Sequence, residues 1–323
     1  MVKELPKVLV LGQPAVFTIY ENRFSEKFQC LKAWQFPMST DQFLADHGGS
    51  VEALLCSGET QITADLLLRL PSLRIIVTTS AGLNHLDLPE CRRRGISIAN
   101  AGTVFSEDVA DTAVGMLIDV LRKITASDRY VRTGLWPIRG EYPLGSKLGG
   151  KRVGIVGLGS IGLEVAKRLE AFGCSISYNS RKKKPSVSYP FYYDICELAA
   201  NSDILVICCA LTDQTCYLIN KEVLLALGKE GVVVNIARGP VIDEKDLVQC
   251  LLRGDIAGAG LDVFENEPEV PEELFTLDNV VMSPHCAFCT EESFLALYEL
   301  MSGNLEAIFS NKPLLSPVMD YLN

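Results

Sequence analysis

Apolar runs of strand length alternate with helix-spaced apolar stripes over most of the chain. Val8–Leu11, Val51–Cys56, Arg74–Ser80 and Ile96–Asn100 predict strands, each closed by a polar or glycine-containing turn. Between Ser106 and Arg122 the apolar positions Val109, Ala110, Ala113, Val114, Met116, Leu117 and Val120 recur at helical spacing, and Ser106 followed by Glu107 and Asp108 marks the helix start. Beyond Gly149 the alternation tightens. Strands are predicted at Val153–Val156, Cys174–Tyr178, Ile204–Cys209, Val232–Ile236, Ile256–Leu261 and Val280–Met282. Helices are predicted at Ile161–Phe172, Ile195–Ala200, Lys221–Leu227 and Glu244–Leu252, and again at Glu291–Phe309. Short, regular alternation of this kind means βαβ units and parallel sheets, hence an α/β fold. Enough elements precede Gly149 to require a second unit built from both chain ends. The expected division is 1–104 with 291–323, and an inserted unit 105–290: two Rossmann-like or flavodoxin-like α/β domains.

Gly157-Leu158-Gly159-Ser160-Ile161-Gly162 lies between a predicted strand and a predicted helix. In such a loop the first glycine makes a tight turn and the second admits a pyrophosphate to the backbone. The third lets helix and strand close up, and the helix N-terminus supplies N–H donors. The inserted unit is therefore expected to bind a dinucleotide. About 20 positions further on, an acid would accept hydrogen bonds from an NAD ribose. This chain instead reads Tyr178-Asn179-Ser180-Arg181-Lys182-Lys183-Lys184. With no carboxylate there, and with Ser180, Arg181 and Lys182 able to hold a 2′-phosphate, NADPH is the expected cofactor, and acceptance of NADH stays open.

Three further segments sit at predicted strand ends: Ile236-Ala237-Arg238-Gly239-Pro240, Leu261 to Pro268, and Ser283-Pro284-His285. Taken singly, Arg238 could be a surface ion-pair partner, Glu267 a loop acid and His285 a packed histidine. Taken together after the glycine loop, they resemble the D-isomer-specific 2-hydroxyacid dehydrogenase family, and within it the plant-type glyoxylate/hydroxypyruvate and hydroxyphenylpyruvate reductases. The resemblance runs from about Val51 to Pro317. It rests on Gly-Lys-Arg-Val-Gly-Ile-Val-Gly-Leu-Gly (150–159), Asn-Ile-Ala-Arg-Gly (235–239) and Gly-Ala-Gly-Leu-Asp-Val-Phe-Glu (258–265). It implies reduction of a small 2-oxo acid such as hydroxypyruvate or glyoxylate. Such a reaction needs a proton donor for the carbonyl oxygen and a cation for the carboxylate. His285 is the expected donor, Glu267 its carboxylate partner favouring the imidazolium, and Arg238 the cation. The resemblance also implies that Asp262 holds the nicotinamide carboxamide, that Ile236, Ala237 and Arg238 line the cofactor, and that backbone N–H groups of Ala81 and Gly82 bind the substrate carboxylate. Relatives are two-fold dimers, and Tyr130, Leu135 and Trp136 look exposed enough to need a partner surface.

The chain departs from the family after the histidine: Phe288 is bulky for a place beside nicotinamide, and Phe294 stands near where many reductase relatives carry an arginine. An arylpyruvate substrate is the alternative within the enzyme class, and a nucleotide-sensing corepressor-like scaffold the alternative outside it. Cys286-Ala-Phe-Cys289 spells a CxxC without a second ligand pair, so no metal is expected. His47 and His85 read as packing or surface residues.

Composition narrows the partners. The 323 residues carry a net charge of −10, which disfavours nucleic acid and anionic membranes and requires any anionic ligand to meet a local basic patch. Eleven cysteines without a spacing framework suit reduced thiols. The N-terminal residues lack an apolar targeting core and Tyr321-Leu322-Asn323 is not a peroxisomal tripeptide, so cytoplasm is expected.

Overall fold

A computed structural model describes residues 5–318; the readings made on the first four residues and on Tyr321-Leu322-Asn323 lie outside them. The chain divides into two compact units, 1–105 with 290–323, and 106–289, so Phe105 and Thr290 both belong to the first. No helix among the described residues is long and apolar enough to cross a membrane.

In the first unit β1 (Lys7–Leu11) is followed by two short helices, α1 (Ala15–Ile19) and α2 (Glu21–Ser25), and by β2 (Gln29–Lys32). Then come α3 (Thr40–His47), β3 (Ala53–Cys56), α4 (Ala64–Leu68), β4 (Ile75–Thr78), α5 (Leu88–Arg94) and β5 (Ser97–Ala99). Helix Glu291–Phe309 completes the unit from the C-terminal piece. The strand order is β2-β1-β3-β4-β5 and every pairing is parallel, the flavodoxin-like arrangement. Its core joins Leu9, Leu54, Ile76 and Ile98 of the strands to Phe43 and Leu67 of the helices. Strand β2 is an addition to the sequence reading. It lies at a sheet edge with a half-exposed QCLK sequence, so it lacks the apolar run that announces a buried parallel strand.

The second unit opens with α6 (Ser106–Arg122), α7 (Ile124–Arg132) and α8 (Trp136–Arg139). It continues through β6 (Arg152–Val156), α9 (Ser160–Ala171), β7 (Ser175–Asn179), α10 (Ile195–Ala200), β8 (Ile204–Ile207), α11 (Lys221–Leu227), β9 (Val232–Asn235), α12 (Glu244–Arg253), β10 (Gly258–Leu261) and β11 (Val280–Met282). The sheet, ordered β11-β10-β9-β8-β6-β7, is parallel throughout. Alternation along β10 explains its glycines. Ala259 and Leu261 enter the core shared with α10, α11 and α12. Gly258 and Gly260 face α6, where an added Cβ would stand 2.8 Å from Val120 and 3.1 Å from Met116. Bulk at either glycine would lift α6 off the sheet. Strand order reverses at β6, which has β7 on one side and β8 on the other. In open parallel sheets that switch point is where ligands bind, outside the strands' C-terminal ends.

Around α7 and α8 the structure revises the surface expectation. Tyr130 is half-buried, its ring 5.0 Å from that of Tyr142 and its hydroxyl donating to the Gly140 carbonyl at 3.0 Å. Leu135 is also half-buried. Ile124, Val131, Trp136, Ile138 and Leu144 are exposed apolar residues there, Leu144 at 94%.

Candidate active site

The glycine loop leaves β6 at the switch point. Gly157 has φ +95°, and an added Cβ would fall 2.6 Å from the Cys209 backbone, so no other residue fits this turn. At Gly162 an added Cβ would meet the Gly157 carbonyl at 2.3 Å, which is the close helix–strand contact of α9. Gly159 is the N-cap of α9, and nothing lies within 4 Å of where its Cβ would be. The open side of the loop is therefore the one over the helix N-terminus, and it fits a dinucleotide pyrophosphate. Ser160 is exposed there and Ile161 half-buried, whereas the Leu158 side chain is buried in the core and leaves only its backbone for a ligand.

At the end of β7, Asn179 donates its side-chain amide to the carbonyls of Tyr192 and Tyr193, at 3.0 and 2.9 Å. The Ser180 hydroxyl donates to the Lys182 carbonyl at 2.7 Å, closing a tight turn. Arg181 and Lys182 are exposed.

The chemistry-bearing residues follow β9, β10 and β11. After β9, buried Asn235 accepts the Ala237 N–H at 3.0 Å and donates to the Arg238 carbonyl at 3.1 Å, bending Ile236, Ala237 and Arg238 around itself. The side chains of Ile236 and Ala237 are buried beneath this bend. The Arg238 guanidinium donates back to the Ala237 carbonyl at 2.6 Å. An added Cβ on Gly239 would lie 1.9 Å from the Phe264 carbonyl, so the arginine loop rests directly on the backbone that leads to Glu267. Burial pulls the Arg238 guanidinium below its ordinary value, and the charge of Glu267 opposes the shift.

Glu267 divides its carboxylate. Oε1 accepts the Phe264 N–H at 3.0 Å, and Oε2 meets His285 Nδ1 at 2.8 Å. Burial alone would push Glu267 up; the hydrogen bonds from His285 and Phe264, with the charges of His285 and Arg238, outweigh it and hold the group below the usual carboxylate value. His285 sits after β11 with φ +50°, its N–H donating to the Asp262 carbonyl at 2.8 Å. The Phe288 ring stands edge-on to the imidazole, centroids 6.2 Å apart.

Asp262 is 1% exposed, and its carboxylate accepts from Ser283 Oγ at 2.6 Å, Cys286 N–H at 2.9 Å and Ala287 N–H at 3.2 Å. Burial raises its pKa, and these bonds oppose the rise. The geometry gives Asp262 a role that the sequence reading did not include: it gathers the turn that carries His285. Thr112 of α6 adds a bond to the Ala287 carbonyl at 3.1 Å. Ser283, Thr112 and Asn235 were all missed as functional. The signal was a polar residue at a strand end or on an apolar helix face, where only a bonded polar group is tolerated.

Ala81 and Gly82 belong to the first unit, after β4. Ala81 is exposed, and Asn100 donates to its carbonyl at 2.9 Å. The Gly82 N–H donates to Ser80 Oγ at 3.1 Å. Beneath this loop His85, 2% exposed, bonds Thr78 Oγ1 at 2.9 Å, a packing place as expected from the sequence. Among the described residues, no group of three or more His, Cys, Asp or Glu side chains could hold a metal.

In the second unit a histidine ring faces a carboxylate, a half-buried guanidinium lies within range of the same carboxylate, and a glycine loop opens over a helix N-terminus. This set can move a proton, hold an anion and bind a dinucleotide. Comparison with known proteins agrees. Residues 114–287 match the NAD binding domain of D-isomer specific 2-hydroxyacid dehydrogenases. The chain is 55% identical over 314 residues to a glyoxylate/hydroxypyruvate reductase of Arabidopsis thaliana, covering 97% of each. It is 48% identical to a hydroxyphenylpyruvate reductase of Plectranthus scutellarioides, covering 96% of this chain and 98% of that one. A solved structure of an NADPH-dependent glyoxylate/hydroxypyruvate reductase from Sinorhizobium meliloti, in complex with NADP and malonate, superposes with a TM-score of 0.88 at 36% identity, covering 98% and 97% of the two chains. Fold, glycine loop and strand-end residues thus converge, and the chain belongs to the D-isomer specific 2-hydroxyacid dehydrogenase family.

Proposed function

We propose that this protein is an NADPH-preferring reductase of small 2-oxo acids, with hydroxypyruvate and glyoxylate as substrates, working in the cytoplasm. The observation that carries the reading is the 2.8 Å contact of His285 Nδ1 with Glu267. That bond leaves Nε2 as the ring nitrogen for the substrate oxygen. A reduced nicotinamide supplies the hydride to the carbonyl carbon when bound. His285 gives its proton to the carbonyl oxygen, and Glu267, held ionised, stabilises the imidazolium until then. Arg238 spans the carboxylate and the carbonyl oxygen with its planar fork. On the same reading Asp262 orients the nicotinamide carboxamide, and the Ala81-Gly82 turn offers the Ala81 backbone N–H to the substrate carboxylate, the Gly82 N–H being held by Ser80 Oγ. The support for the substrate class is the named activity of the relatives together with this proton-donor and cation set. NADPH oxidation followed at 340 nm over hydroxypyruvate, glyoxylate and 4-hydroxyphenylpyruvate tests it. Turnover of the aromatic acid alone would replace the substrate assignment, and tight cofactor binding with no turnover at all would favour a scaffold.

Cofactor choice is assigned to the basic loop after β7. Losing one charge-assisted contact costs on the order of 1.5–3 kcal/mol. Arg181→Ala is therefore expected to raise the KM for NADPH about tenfold or more and to leave that for NADH nearly unchanged. Equal effects on both cofactors would remove the assignment.

We also propose a homodimer, supported by the exposed Trp136, Ile138 and Leu144. Light scattering is expected to give about twice the 35.4 kDa chain mass. A concentration-independent mass of one chain would refute it.

A further inference from the structure

The tyrosine that precedes the basic loop has no part in the chemistry derived so far, yet four separate contacts converge on it. Tyr178 is the penultimate residue of β7 and is 0% exposed. A buried phenol needs a partner for its hydroxyl. Here the partner is the main chain of the basic loop: Tyr178 Oη accepts the Lys184 N–H at 2.8 Å. The backbone of the same residue secures the loop's far end, since Tyr178 N–H donates to the Pro190 carbonyl and Tyr192 N–H donates to the Tyr178 carbonyl, both at 2.9 Å. The ring packs on Phe191 at 5.3 Å.

These contacts restrain an arc that would otherwise spread. Arg181, Lys182, Lys183 and Lys184 are four adjacent cations in a chain of net charge −10, and their mutual repulsion favours an open loop. The phenol hydroxyl holds the last of them by its backbone, and the Ser180–Lys182 turn holds the middle. A preformed arc meets a phosphate without first bearing the cost of ordering. A ribose with a free 2′-hydroxyl gains nothing from that order.

We propose that Tyr178 is a positioning residue that sets cofactor selectivity: its buried hydroxyl holds the Arg181–Lys184 loop in the shape that receives a ribose 2′-phosphate. The inference rests on the reading of the protein as NADPH-preferring. Tyr178→Phe removes one oxygen and keeps the ring, so the core packing survives. For one net hydrogen bond, the Kd for NADPH is expected to rise roughly three- to tenfold, with that for NADH unchanged.

The measurement is calorimetric titration of the full-length protein with NADPH, NADH and adenosine 2′,5′-bisphosphate. The bisphosphate should weaken in step with NADPH. In an Arg181→Ala background the tyrosine effect should shrink, because both side chains act through one loop. If the unmodified protein binds both cofactors equally, the NADPH reading itself fails. If it prefers NADPH while Tyr178→Phe keeps the same ratio, or weakens both cofactors alike, the role of Tyr178 is overturned. Should Tyr178→Phe not fold, Lys184→Pro deletes the same hydrogen bond from its donor side, with Lys184→Ala as the control for the lost charge. An unchanged NADPH-to-NADH ratio in Lys184→Pro relative to that control would likewise overturn it.

Discussion

Replacing His285 with Ala is expected to lower kcat for 2-oxo acid reduction by roughly 10²–10⁴, the usual contribution of a positioned general acid. The cofactor Kd should be unchanged, since among the described residues the imidazole's hydrogen bond runs to Glu267 and not to the glycine loop or the β7 loop. Glu267→Gln, which keeps the shape and removes the charge 2.8 Å from Nδ1, is expected to lower kcat for reduction as well, with the cofactor Kd again unchanged. Glu267 itself is held below the ordinary carboxylate value, so it stays ionised through the working range, and its contribution to stability is lost only as the pH falls through that depressed value. Stopped-flow rates across pH for both variants check this. Near-normal turnover in both variants would end the assignment.

Much of the second unit was legible because its strands are covered on both faces. Val153–Val156, Ile204–Ile207 and Val232–Asn235 are fully buried, and a parallel strand in that position must be an apolar run whatever its function. Fully burying such side chains is worth about 1.5–3 kcal/mol each, so the composition follows the environment closely. The first unit was read less completely for the converse reason. Edge strand β2 and the five-residue helices α1, α2 and α4 are too short or too exposed to impose a period on the sequence.

At the site, the residues that carry charge were legible and those that place them were not. Arg238, Glu267 and His285 stand out because their chemistry is rare at strand ends. Asn235, Ser283 and Thr112 act through hydrogen bonds to backbone or to Asp262. A polar residue at a strand end or on an apolar helix face signals that such a bond exists, but a linear pattern does not name its partner. Asp262 shows the gap most clearly. It reads as a cofactor ligand by resemblance, yet its carboxylate already accepts three donors from the turn around His285, so its removal should loosen the acid as well as the nicotinamide pocket.

Arg238→Ala is expected to raise the KM for the 2-oxo acid and to lower kcat together, because the guanidinium meets a carboxylate present from the start and an oxygen whose charge grows during reduction. Two charge-assisted contacts at about 1.5–3 kcal/mol each correspond to a fall in kcat/KM of roughly 10²–10⁴. Arg238→Lys should recover little of it. A lysine ammonium is a compact point charge and cannot span both oxygens, and its position would still be dictated by the bend around Asn235 and by the Gly239 contact with Phe264. The arginine's second effect separates its role from mere anchoring. Its charge is one of the causes holding Glu267 low, so removing it lets Glu267 take up a proton at higher pH. The acid limb of the rate profile in Arg238→Ala should accordingly move upward. Steady-state kinetics across pH decide the matter: near wild-type kcat/KM in Arg238→Lys, or an acid limb that stays in place in Arg238→Ala, would mean that the guanidinium neither grips the substrate nor tunes the carboxylate.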